Sequence, residues 1–236
     1  MSELILVRHG QASFGAASYD KLSETGVEQV RCLSNHWGAL GLRFDHIYCG
    51  SLRRQRETAQ ELLGLVKGSP SEPSELIGLN EYNGDPLLRI YVRDKKKEAA
   101  DVPAIDLPIK EPRLFQRTFE DATAKWITDN LHPTEEDSDF EPWSDFKERV
   151  NRALDKVMNR HCDGSKVLIS TSGGVIAVAL QKVLQFSDRE AINTNWMVHN
   201  SSVSRIKYGK SRLSLSQFNN LSHLERLGKQ DMITYR

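Results

Sequence analysis

The chain has little of what marks secreted, metal-stapled or membrane-spanning proteins. Its 236 residues include three cysteines, Cys32, Cys49 and Cys162. An odd number without metal-ligand spacing argues against a disulfide framework and a structural zinc site, so a reducing, cytoplasmic setting is expected. No apolar run approaches membrane-spanning length, and Leu4 to Val7, cut short by Arg8, is too brief for the apolar stretch of a secretory leader. No membrane partner is expected. Charge of one sign is not in excess either: 32 Lys and Arg face 32 Asp and Glu. A balanced chain lacks the electrostatic footprint of a general nucleic-acid binder, and the clusters at Arg53, Arg54, Arg56 and Lys95 to Lys97 lack interleaved aromatics. Internal repeats and low-complexity tracts are missing as well. What remains is a chain with 39% hydrophobic residues, long enough for one large domain or one domain with a sizeable insertion. Its oligomeric state is not legible.

The apolar residues fall into an alternating pattern of strands and helices. Leu4 to Val7 reads as a short buried strand entering a polar loop at Arg8-His9-Gly10. Val27, Val30, Leu33, Trp37 and Leu40 recur at helical spacing, with Ser23 as N-cap and Gly41 as stop. His46 to Cys49 is a second strand, followed by an amphipathic helix from about Leu52 to Val66. Glu75 to Leu79 is expected as a third strand. From Asp85 to Trp143 charges, prolines and scattered aromatics break the pattern, which reads as a cap inserted into one domain spanning residues 1–236, with one helix around Phe115 to Ile127. Regular structure resumes in a helix behind Ser144 as N-cap, then a strand at Lys166 to Thr171, a tight turn at Ser172-Gly173-Gly174, and an apolar helix to Leu184. Val203 to Tyr208 and Arg212 to Phe218 flank Gly209-Lys210 as a hairpin. Strand, helix, strand, helix predicts an α/β fold, a three-layer α/β/α sandwich on a mostly parallel sheet. Chemistry is then expected at the carboxyl ends of the strands.

Two segments carry unusual chemistry. Arg8-His9-Gly10 puts a guanidinium and an imidazole on one turn, beside a residue with no side chain to block a ligand. The second segment, Ser51 to Ala59, gathers three arginines at the start of a helix, where the helix dipole favours acids. Something anionic must offset them, most simply a bound anion. Arg53 and Arg56 are expected to form a solvated face, leaving Arg54.

Leu6-Val7-Arg8-His9-Gly10-Gln11, then Arg54 with Thr58 and Ala59, then Leu79-Asn80-Glu81-Tyr82-Asn83-Gly84, resembles the histidine phosphatase superfamily, also called phosphoglycerate mutase-like. The likeness runs from residue 4 to about 220 in the right order. It implies that His9 is the nucleophile that becomes a phosphohistidine, that Arg8 and Arg54 clamp the phosphoryl oxygens, and that Glu81 protonates the leaving oxygen. A phosphoryl group carries about −1.5 to −2 charge at neutral pH, and two arginines hold that charge without a metal or other cofactor. The attacking nitrogen must be neutral, with the other ring nitrogen donating to a backbone carbonyl. Gln11 and Ser13 are candidate substrate contacts. Relatives carry an asparagine a little further on, where this chain has Gly15, whose backbone amide is an expected substitute.

One position departs from the resemblance. Relatives place a second histidine at the end of a later strand, and here that position is Ser172. Losing one preorganised donor costs about 2.7–4 kcal/mol of transition-state stabilisation. The Ser172 hydroxyl and the amide of Gly173 at a helix start are expected to supply a substitute cradle, with Ser172 also a candidate N-cap. Three readings follow: a metal-independent phosphomonoesterase, a mutase that returns the phosphoryl group, and a silent module that binds phosphorylated ligands. The first is favoured, acting on a small-molecule or protein phosphomonoester. His199 and His223 are expected to be structural, Asn200-Ser201-Ser202 has no assigned role, and Arg89, Arg93 and Lys95 are expected to face solvent.

Overall fold

The computed structural model describes residues 1–13, 20–68, 70–98, 105–210 and 212–235, so Gly15 lies outside the described residues. The chain divides into two compact units, Met1–Glu81 with Arg149–Arg236, and Tyr82–Glu148.

The larger unit begins with β1 (Ser2–Arg8), buried throughout Leu4 to Val7. Helix α1 (Glu24–Ala39) starts behind Ser23, whose hydroxyl accepts from Gly26 N–H, and is stopped at Gly41 by a φ of 66°. Then come β2 (His46–Cys49) and α2 (Arg53–Leu62), which tightens into a 3₁₀ turn at Leu63–Leu65. The third strand is shorter than expected. Only Ser74–Glu75 pair as β3, and Ile77–Leu79 form a 3₁₀ turn. Leu79 is buried while Ile77 is 73% exposed, so the apolar run has no strand-like inner face. Gly78 lets that turn sit tight, since a Cβ there would lie 2.7 Å from Ala153 Cβ.

Among the described residues of the smaller unit, α3 (Gly84–Glu98) precedes α4 (Pro112–Trp126), where only the latter was expected. Leu87, Leu88, Ile90 and Tyr91 of α3 are buried, a face that the surrounding charges obscure in the sequence. Tyr82, Trp126, Trp143 and Phe146 form an aromatic core with centroids 4.7–5.8 Å apart, and Trp126 Nε1–H donates to Glu141 O at 2.8 Å.

Helix α5 (Trp143–Arg160) begins earlier than expected, because Pro142 O accepts from both Asp145 and Phe146 N–H. Ser144 is therefore in the first turn, not the N-cap, and its hydroxyl bonds Asp145. Strand β4 (Lys166–Thr171) leads directly into α6 (Gly173–Leu184), so the expected turn of Gly173 and Gly174 is the first turn of a helix. Ile176 N–H closing on Ser172 O fixes that start. Next is α7 (Asp188–Met197), announced by a capping box between Ser187 and Glu190. A hairpin of β5 (Val203–Tyr208) and β6 (Leu213–Asn220) precedes the short α8 (Ser222–Glu225).

The sheet order is β3-β2-β4-β1-β5-β6. The four strands from β3 to β1 run parallel, while β5 and β6 are antiparallel additions at one edge. Ile5, Val7, Ile47, Cys49 and Leu168 point to one face, where Val30, Leu33 and Trp37 of α1 and Ala59 and Leu62 of α2 cover them. Leu4, Leu6, Val167 and Ile169 point the other way and are equally buried, with α6 packed on β1 and β6. Both faces are covered, which is the expected three-layer α/β/α arrangement. Close behind β1, the loop at Gly10 and the first turn of α1 meet backbone to backbone. A Cβ on Gly10 would lie 2.4 Å from Gly26 O, and one on Gly26 would lie 2.1 Å from Gln11 O. Among the described residues no helix is long and apolar enough to cross a membrane.

Candidate active site

Strands β1, β2 and β4 are neighbours, and their carboxyl ends bring three distant segments together. Arg8 is in register with Thr171, and Cys49 with Ser170. His9 then continues the ladder by one bond, its N–H donating to Thr171 O at 2.8 Å. The carbonyl of His9 is held from another side by Asn200 Nδ2–H at 3.3 Å and Ser201 N–H at 3.2 Å. Ser201 has a φ of 58°, a left-handed conformation unusual outside glycine, and it is this turn that aims its amide at both Arg8 O and His9 O. Gly10 N–H donates to Thr58 Oγ1 of α2 at 3.1 Å. The histidine is thus fixed by backbone contacts to three elements before its ring is considered.

The ring itself has one assignable tautomer. Nδ1 lies 2.7 Å from Gly10 O, which can only accept, so Nδ1 carries the proton. Nε2 is left with its lone pair, and Arg54 Nε–H donates to it at 3.1 Å. Burial pushes the His9 pKa well below its ordinary value, the Arg54 and Arg8 charges push it further, and the Gly10 carbonyl opposes them. Neutral imidazole is therefore the form present at neutral pH. Arg8 Nη1–H donates to Val198 O, which anchors that guanidinium on the chain after α7.

The anion that the arginine-rich start of α2 requires belongs to the protein. Asp20 accepts from Arg53 N–H at 2.8 Å, taking one of the amides at the start of the helix, and from Arg54 Nη1–H at 2.6 Å. Arg53 and Arg56 are exposed and pair with Glu57 and Glu75, as a solvated face would.

Glu81 meets the site at the N-terminus of α6, where its Oε2 accepts from Gly174 N–H at 2.9 Å. Ser172 is fully buried and occupies the N-cap position of α6, yet its hydroxyl caps nothing. Gln55 Nε2–H donates to it at 2.8 Å and to Leu79 O at 3.1 Å. Gly173 has a packing reason to be glycine, since a Cβ would lie 2.5 Å from Asn195 Oδ1. The other two candidate contacts are built into the loop after His9: Gln11 Oε1 accepts from Ser23 Oγ–H at 2.8 Å, and Ser13 Oγ–H donates to Leu22 O at 3.1 Å. His199 pairs with Asn219 and packs at a tilt against the Tyr235 ring, and His223 is buried against Ser201 Oγ, 2.9 Å from its Nε2. Burial and the neighbouring His36 lower the His223 pKa to about 4. Among the described residues no group of three or more His, Cys, Asp or Glu is gathered as a metal site. Asp20, Gln55 and Asn200 are the participants the sequence does not announce. Only the polar pair Asn200-Ser201 just before a strand hints at one of them.

A strand-end histidine held neutral beside two half-buried arginines suits a phosphoryl group on an α/β sandwich, and this chain belongs to the histidine phosphatase superfamily. The profile of branch 1 of that superfamily matches residues 4–103 and 110–221. A metal-independent phosphoserine phosphatase of Arabidopsis thaliana is 23% identical over 234 residues, covering 97% of this chain and 85% of the relative. Among solved structures, a phosphoserine phosphatase mutant of Entamoeba histolytica in complex with phosphoserine superposes with a TM-score of 0.64 at 16% identity, covering 95% of this chain and all of that one. A phosphoglycerate mutase of Bacillus anthracis reaches the same TM-score at 20% identity, with 95% and 96% covered. At these identities the structures speak for the fold alone.

Proposed function

We propose that this protein hydrolyses phosphomonoesters without a metal, through a phosphohistidine at His9, and that its substrates are small phosphate-bearing molecules such as phosphorylated hydroxy or amino acids. The observation that carries the reading is the His9 ring: Nδ1–H on Gly10 O, Nε2 unprotonated and accepting from Arg54 Nε–H, and a pKa held down by burial and two guanidinium groups. In the first half-reaction Nε2 attacks phosphorus in line with the ester oxygen. The P–N bond forms as the P–O bond breaks, and Arg54 with Arg8 holds the phosphoryl oxygens. Glu81 gives its proton to the departing alkoxide. In the second half-reaction the Glu81 carboxylate takes a proton from water, the water oxygen attacks phosphorus, and the P–N bond breaks to free orthophosphate and neutral His9. Asp20 holds Arg54 in the resting protein and yields it to the phosphoryl group.

The insert belongs to the same reading. Tyr82–Glu148 follows Glu81 directly in the chain and is the segment assigned to substrate choice. Three cysteines, none disulfide-bonded, agree with a cytoplasmic setting.

The test is hydrolysis of p-nitrophenyl phosphate and a panel of natural phosphomonoesters in EDTA, followed by a search for acid-labile phosphate on the protein. Turnover in the wild type, loss of at least about a thousandfold in His9→Ala, and label on His9 are the expected results. Phosphoryl migration without net release would make the protein a mutase. Vanadate binding without turnover would make it a silent phosphate-binding module.

A further inference from the structure

Gln55 and Ser172 are both completely buried, and their hydrogen bonds have a fixed direction. Leu79 O can only accept, so the Gln55 atom beside it is the amide nitrogen, and that nitrogen also donates to Ser172 Oγ. Ser172 Oγ is therefore an acceptor toward Gln55, and its own proton must point elsewhere. Among the described residues it reaches no acceptor. In the chain this hydroxyl stands between two contacts of the site: Thr171 O, which holds His9 N–H, and Gly174 N–H, which holds the Glu81 carboxylate. A buried hydroxyl that accepts from one side and has nothing to donate to on the other is costly unless something arrives to take the proton.

Room for this arrangement comes from a third residue. A Cβ on Gly50 would lie 1.9 Å from Gln55 Oε1 and 2.5 Å from Asn80 Oδ1. The Gln55 amide thus fills the space where a side chain at residue 50 would begin, and Oε1 finds no partner there. Such an arrangement would not be kept for packing alone, because an apolar side chain of the same size would avoid the unpaired oxygen.

We propose that Gln55 is a positioning residue: by donating to Ser172 Oγ it turns the hydroxyl proton of Ser172 toward the phosphoryl group carried on His9, supplying the donor that a histidine at residue 172 would otherwise provide. The proposal rests on the phosphohistidine reading. It assigns Ser172 direct contact with the phosphoryl oxygens and Gln55 an action through Ser172. Gln55→Met keeps the volume and removes the donor, whereas Ser172→Ala removes the hydroxyl.

The experiment is a double-mutant cycle on steady-state hydrolysis of p-nitrophenyl phosphate, with urea unfolding of each variant. Ser172→Ala is expected to lower kcat about a hundredfold with KM within about threefold of wild type, as for loss of a donor that acts in the transition state. Gln55→Met is expected to lower kcat roughly tenfold or more, and the double variant to be no slower than Ser172→Ala. A Gln55→Met loss that adds in full to the Ser172→Ala loss would overturn the coupling. Unchanged kcat in a folded Ser172→Ala would overturn the donor role. If Gln55→Met fails to fold, Gly50→Ala, which displaces the amide from the other side, replaces it in the cycle with the same expectations. Failure of the phosphohistidine reading looks different: wild-type protein with no label on His9, whatever the variants do.

Discussion

Two arginine–aspartate pairings, one in each unit, are built in opposite senses. In the smaller unit Asp137 is the buried partner, its side chain 1% exposed, and Arg89 and Arg93 reach it from positions 41% and 26% exposed. In the larger unit Arg54 is the more covered partner, its side chain 11% exposed, and Asp20 lies 41% exposed. Asp137 also accepts from Thr134 N–H and Thr134 Oγ–H, and donation from Arg93 above all holds its pKa well below the ordinary carboxylate value. That acid is a fixed structural element, and the arginines around it, expected from the sequence to face water, serve it. Asp20 has the reverse role. It is the more exposed partner, and the less exposed one is a guanidinium that donates to the imidazole.

The contrast is breakable at several points. Its largest consequence is in turnover: Arg54→Ala is expected to cut phosphomonoester hydrolysis roughly a thousandfold, while Arg93→Ala leaves it unchanged, as kinetics with p-nitrophenyl phosphate would show. Equal losses would erase the distinction. Next comes stability. Asp137→Ala strips four donors of their acceptor and is expected to cost about 2–3 kcal/mol in urea unfolding, whereas Asp20→Ala should cost less than about 1 kcal/mol. The acid response sharpens the same point. His9 and His223 titrate below their ordinary 6.5, so from about pH 6.5 downward the unfolded chain takes up protons that the folded one refuses. Stability then falls at about 1.4 kcal/mol per pH unit for each, and His223→Gln should flatten the slope between pH 6.5 and about 4. Asp137, with a depressed value, adds its own loss only below about pH 3.8. Smallest is Asp20→Asn, which removes a competitor for Arg54 and is expected to tighten vanadate binding about two- to fivefold by calorimetry.

Much of the larger unit was legible because its signals are local. The apolar bursts of β1, β2 and β4, the Ser23 cap and the Gly41 stop each declare themselves within a few residues. Arg8, His9 and Arg54 were legible for a different reason: their residue types are out of place at a strand end and at a helix start. What escaped depended on partners far away in the chain. Gln55 reads as one more polar residue on a charged helix until Ser172 and Leu79 arrive beside it. Asp20 is unremarked until it settles on Arg54, and the inner face of α3 is masked by the lysines around it. The sheet order was beyond reach for the same reason, since the neighbours β1 and β4 are separated by most of the sequence.

The contact of Gly10 with Gly26 has a bearing on how this protein can be altered. Because the loop after His9 and the first turn of α1 touch through bare main chain, any methyl added at either place must prise apart two segments at once. Libraries that aim to redirect the enzyme to a new phosphate ester should leave both glycines alone.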